Sequence, residues 1–127
     1  MKLSHKQLKA ECDKLWAIAV KLKAGNVSEW SGKNENGLHA HHIRGRGTCY
    51  RLRYELKNGI ALTPGEHKFI AHNESRRITF EDRIKELRGK DVYDRLDMLK
   101  RVNSKTYLPD VKIYLKEVIR RLEASPV

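Results

Sequence analysis

Leu38-His39-Ala40-His41-His42-Ile43 is the stretch whose reading decides the fold. Alternating apolar and polar residues read as a short strand with three imidazoles on it. Gly59 to Leu62 reads as a second strand, ending at the turn Thr63-Pro64-Gly65. A helix is expected from near Glu66 to about Asn73, carrying His67 and His72. Residues 38–73 therefore read strand, loop, strand, helix. The loop 44–57 is basic, with Arg44, Arg46, Arg51, Arg53 and Lys57 against Glu55, and Tyr50 and Tyr54 between them. Arginine pairs with phosphate and tyrosine stacks, a mixture that suits a nucleic-acid surface.

Outward from this centre the chain reads as helical. Leu8, Cys12, Leu15, Ala19 and Leu22 recur at steps of four and three, which predicts a helix from about Ser4 to Ala24 with one apolar stripe. Ser4 suits its start, and Gly25 the residue after its end. Residues 25–37 carry turn chemistry, with Trp30 expected to plug that loop into the core. Phe80, Ile84 and Leu87, then Val92, Leu96 and Leu99, then the run from Val111 to Leu122, mark three further helices within 76–123. The expected class is α+β in a single domain over 1–127, with an N-terminal helix in 1–25 and the C-terminal helices behind the centre.

Composition narrows the function. Lys plus Arg number 27 against 16 Asp plus Glu, a formal charge of +11, which points first to nucleic acid as the partner. No apolar run approaches the ~18 residues of a membrane span, and the basic, polar start does not read as a secretory signal. Cys12 and Cys49 sit in unrelated contexts, so a reducing cytoplasm is the expected setting and no disulfide scaffold is expected.

Imidazole ligates divalent metals and acts as a base near neutral pH. The adjacent His41-His42, then Asn58, then the helix-borne His67, stand in an order that resembles the ββα-metal (HNH, His-Me finger) core of HNH nucleases, most closely a small phage-encoded type. The matching stretches are 38–43, Asn58-Gly59-Ile60-Ala61-Leu62, Pro64-Gly65-Glu66-His67-Lys68-Phe69 and Ala71-His72-Asn73. Leu15-Trp16 to Gly25 and Arg88-Gly89-Lys90-Asp91-Val92-Tyr93 resemble the flanks of the same proteins.

The resemblance implies roles. His41 and His67 are the implied metal ligands. His42 is the implied general base on water, and Asn58 the residue that orients His42 by hydrogen bonding. His72 lies five residues beyond His67, not the four that align side chains on a helix, so it stands as a third ligand or a phosphate contact. Arg44, Arg46, Arg51, Arg53, Lys57 and Lys68 are the expected DNA contacts. The implied activity is hydrolysis of DNA phosphodiesters by one divalent ion, Mg²⁺ or Mn²⁺. Histidine ligands also suit Ni²⁺, Co²⁺ and Zn²⁺. The expected state is a monomer or weak homodimer in the cytoplasm, that of a bacterial host if the chain is phage-encoded; a monomer would nick one strand per site, while a dimer or a second binding event would cut both. The competing reading is an inactive HNH-fold protein that only binds DNA.

Many HNH proteins hold a structural zinc with two Cys-x-x-Cys knuckles. Ser28, Ser31, Thr63 and Glu66 occupy the corresponding positions here, so no structural zinc is expected. Hydrogen bonds among these four and burial of Trp30 are expected to help join the two turns instead, with the helices on either side contributing most. A geometric tension also stands. Adjacent strand residues point to opposite faces, so a twist, a bulge or an early end of the strand is expected to let His41 and His42 serve one phosphate.

Overall fold

Ser4 starts the first helix by a reciprocal cap. Its hydroxyl accepts from the Gln7 amide, and the Gln7 side chain accepts from the Ser4 amide. Helix α1 then runs over His5–Lys23 and stops where Gly25, at φ +73°, takes a left-handed conformation. The computed structural model describes residues 2–34, 36–45, 50–99 and 106–124. Strand β1 is His39–His42 and β2 is Gly59–Leu62. Between them lie a helical turn α2, Tyr50–Arg53, and a 3₁₀ turn, Leu56–Asn58, so the segment expected as loop is partly helical. After β2 come α3 (Pro64–Glu66), a π-helical turn (His67–Ala71) and a 3₁₀ turn (Glu74–Arg76). Helices α4 (Arg77–Arg88), α5 (Lys90–Leu99) and α6 (Leu108–Ala124) follow. The chain is α+β, with helices around one two-stranded sheet. No helix among the described residues is long and apolar enough to cross a membrane.

The helical segment after β2 begins at Pro64, two residues before the expected start. Thr63 caps it reciprocally with Glu66, and Pro64 takes a first-turn position that needs no amide donor. The Thr63-Pro64-Gly65 stretch that reads as a turn is therefore a helix start.

The strands pair antiparallel, His39 with Leu62, Ala40 with Ala61, His41 with Ile60 and His42 with Gly59. Period-two alternation then sorts the side chains. Ile60 and Leu62 join Ile43, Leu52, Phe80, Ile84, Leu96 and Leu99 in one core, with half-buried Trp30 packed against it. On the other face, Trp16, Val20 and Cys12 of α1 pack with Tyr54 and with Leu108 and Leu115 of α6. Cys12 is a free, buried thiol there, and Cys49 lies outside the described residues.

Gly59 sets how near α1 comes to the sheet. A Cβ on Gly59 would stand 2.4 Å from Val20 Cγ2 and 2.9 Å from Trp16 Cζ2. Gly59→Ala is expected to push α1 off the sheet and destabilise the fold by about 1–3 kcal/mol, the usual range for overpacking. Urea denaturation checks this, and an unchanged midpoint would mean that α1 yields freely.

Candidate metal centre

His41, His67 and His72 converge. One ring nitrogen from each lies within 4.8 Å of the others, close enough to bind a metal ion. β1 supplies His41 and the segment after β2 supplies the other two. At 3.6 residues per turn, five residues advance about 500°, or about 140° past the starting face. The π-helical turn His67–Ala71 reduces that offset, because its wider i→i+5 bonding brings residues five apart nearer to one face. His67 Nε2 and His72 Nε2 are 2.9 Å apart. The five-residue spacing that ranked His72 below His67 is thus one this turn accommodates.

Phe80 of α4 meets the His41 ring edge-on, with centroids 5.6 Å apart. Burial first, then the neighbouring His67, His72 and His42, drives His41 down to about 3. Burial, His72 and His39 lower His67 as well. His41 therefore stays uncharged at neutral pH, and His67 is biased the same way. Uncharged imidazole is the form that donates a lone pair to a metal. The donor set fits a divalent cation of borderline character.

His42 points to the opposite face of β1 and lies flat on Trp16, with centroids 3.9 Å apart and planes 6° apart. Its Nε2–H donates to the Arg53 carbonyl at 2.9 Å. That bond puts the proton on Nε2 and makes Nδ1 the basic nitrogen. The strand register is regular through both residues, so no bulge relieves the expected tension. One cavity of about 480 Å³ nonetheless takes in His41, His42, His67 and His72 with Asp13, Trp16 and Gly45. It reaches both faces because the sheet has two strands and β1 is an edge.

The Asn58 side chain makes no hydrogen bond to the His42 ring among the described residues, so it does not orient that ring directly. Fully buried, it accepts from the Arg44 amide (2.8 Å) and donates to the carbonyls of Arg44 (3.2 Å) and Leu52 (3.0 Å). It thereby fixes the residue beside Arg53, whose carbonyl holds His42. Its hold on the base passes through the backbone.

Two of the expected DNA contacts are engaged inside the fold. Arg53, 9% exposed, forks onto Asp13 at 2.7 and 2.6 Å. Arg44 reaches both Glu81 oxygens at 3.0 Å and Asp97 at 3.4 Å, and its guanidinium lies 4.4 Å from the Tyr93 ring centre. Tyr93 also donates to Glu81. Guanidinium charges held this way are paired with carboxylates and turned from solvent, although the buried Arg44 Nε–H makes no hydrogen bond among the described residues. Tyr54 is likewise buried. Arg51, Lys57 and Lys68 are exposed. Arg46 lies outside the described residues, as does the side chain of Tyr50.

Ser28, Ser31, Thr63 and Glu66 meet in a polar staple. The Ser28 hydroxyl donates to Glu66 Oε1 at 2.5 Å, and the Thr63 amide donates to the same oxygen at 2.9 Å. Ser28 Oγ in turn accepts from the amides of Trp30 and Ser31, both at 3.1 Å. Burial opposes charge on Glu66, but bonds from Ser28, Ser31 and Thr63 outweigh it and hold the carboxyl below its usual range. The turn at 28–31 is thereby tied to the helix that presents His67.

Three contributors lie outside the expected set. His39 touches His67, and its signal was the two-residue step to His41, which puts both on one strand face. Asp13 and Trp16 lie three apart on α1, one holding Arg53 and the other stacked on His42, and no local pattern links them to the loop. Comparisons with protein-family models, with curated proteins and with solved structures give no match to this chain.

Proposed function

We propose that the chain is an HNH-type DNA endonuclease that hydrolyses phosphodiester bonds with one divalent metal and His42 as general base. The observation that carries this reading is one cavity into which three metal-competent imidazoles and a separately anchored fourth all open. A plain zinc-type anchor has no need of the fourth, and a surface histidine patch has no need of the anchoring. The hairpin of β1 and β2, followed directly by the helical segment bearing His67 and His72, supports a ββα-metal core.

His41, His67 and His72 would hold the cation. When bound it supplies Lewis-acid relief of charge at the phosphoryl oxygens and the leaving 3′-oxygen. His42, with Nε2–H fixed on the Arg53 carbonyl, takes a proton from the attacking water at Nδ1. Trp16 keeps the ring from turning over, and Asp13 holds Arg53 in place. The exposed cations Arg51, Lys57 and Lys68 supply phosphate contacts, each adding roughly −0.9 to the salt slope of duplex binding. Mg²⁺ or Mn²⁺ is the proposed working metal. One centre meets one scissile phosphate, so a lone protomer nicks a single strand.

Supercoiled plasmid incubated with purified chain tests the proposal. Mg²⁺ or Mn²⁺ is expected to yield the nicked circle, and EDTA to abolish it. A gel shift with no nicking in either metal, nor in Co²⁺, Ni²⁺ or Zn²⁺, would make the protein a DNA binder without chemistry.

A further inference from the structure

His39 is the imidazole of this cluster that the hydrolytic reading does not use. Its Nδ1 lies 2.8 Å from His67 Nδ1, with the rings edge-on at 85° and 5.0 Å between centroids. The other nitrogen of His67, Nε2, faces His72 Nε2 at 2.9 Å. His67 thus presents one nitrogen to the donor group and the other to His39. Sheet register explains the meeting. His39 pairs with Leu62, the last residue of β2, and the chain turns at Thr63 into the segment that carries His67. His39 and His41 share a strand face, so one sits at the donor group and the other on its outer side.

An imidazole that ligates through Nε2 carries its proton on Nδ1, and that proton needs an acceptor. Metal-binding histidines almost always give it to a carboxylate, a backbone carbonyl or water, which fixes the ring and raises its basicity. Among the described residues, His39 Nδ1 is the group hydrogen-bonded to His67 Nδ1. We propose that His39 is a positioning residue for the metal centre: its Nδ1 accepts the Nδ1–H of His67 and holds His67 Nε2 toward the cation. The proposal rests on the three-histidine reading of the centre. It adds an outer partner that is an exposed imidazole, where an acidic residue or a carbonyl is the usual choice.

The Oδ1 of asparagine can accept from nearly the position of histidine Nδ1, while alanine offers nothing. Co²⁺ is titrated into the whole chain, followed by calorimetry and by the visible ligand-field bands, for wild type, His39→Ala and His39→Asn. The expected result is a 10–100-fold weaker Co²⁺ affinity in His39→Ala, as for other outer partners of ligating histidines. His39→Asn should recover most of that loss, and all three should show the same bands and stoichiometry. Unchanged affinity in His39→Ala overturns the proposal and leaves the three-histidine centre standing. Equal losses in both variants with shifted bands overturn it too, because His39 would then be a ligand. A wild-type chain that takes up no Co²⁺ overturns the centre itself and this proposal with it.

Discussion

His42→Ala is expected to lower metal-dependent plasmid nicking by about 10²–10⁴-fold, the range that a positioned general base contributes. The same variant should bind Co²⁺ as the wild type does, because its ring lies on the α1 face of β1 while His41 faces His67 and His72. That split between chemistry and binding distinguishes a base from a ligand. The stack on Trp16 and the bond to the Arg53 carbonyl are lost with the ring. The second is a neutral hydrogen bond of roughly 0.5–1.5 kcal/mol, so the variant should still fold. Nicking that persists at the wild-type rate would remove His42 from the mechanism. Loss of Co²⁺ binding alongside activity would move it into the metal site.

Asn58→Ala is expected to be the most destabilising single change near the centre. Truncation strands three backbone groups, the buried Leu52 carbonyl and the partly buried amide and carbonyl of Arg44. An unsatisfied buried group costs about 1–3 kcal/mol, so the loss should be on the order of 3 kcal/mol or more. In a chain of this length that lowers the melting temperature by on the order of 10 °C. Below the melting range, nicking should also fall, because the loop that places the Arg53 carbonyl loosens and His42 loses a fixed orientation. DNA affinity should change little, since the Asn58 side chain is fully buried and hydrogen-bonds to backbone groups rather than to an exposed cation. Thermal melting, nicking and gel shift on one preparation separate these effects. A variant that melts with the wild type would show that the loop is held by other contacts. One that nicks normally but binds DNA poorly would reverse the role given to Asn58.

The polar staple bears on the same economy of parts. Where a zinc knuckle would join two turns through four thiolates, Ser28 and Glu66 join them through hydrogen bonds to one carboxylate. Net contributions of neutral hydrogen bonds are about 1 kcal/mol each, and bonds to a charged group about 1.5–3. The staple is therefore weaker than a metal anchor, and the two cores on either side of the sheet carry the larger share of the fold.

Strand and helix existence was legible because it follows from local periodicity and capping chemistry. The alternation in 38–43 predicts a strand with His39 and His41 on one face and His42 on the other, and the fold keeps that order without a bulge. Imidazoles near one another could be anticipated from their number and order, since residue type alone says which groups ligate metals. Ser28 and Glu66 could be paired only because the resemblance to HNH proteins places both at zinc-knuckle positions.

Tertiary structure decided the rest. A π-helical turn is a choice of i→i+5 over i→i+4 bonding that periodicity at 3.6 residues does not encode, and it helps to bring His72 toward His67. Whether an arginine meets a phosphate or a carboxylate depends on what the fold sets beside it. Asp13 lies 40 residues before Arg53, and Glu81 lies 37 after Arg44, so composition counts all four as surface charge while packing neutralises them in pairs. The orientation of His42 likewise comes from α1 and from a backbone carbonyl, groups that carry no signature in the residues around it. Side-chain chemistry was written locally, and its assignment to partners had to wait for distant segments to meet.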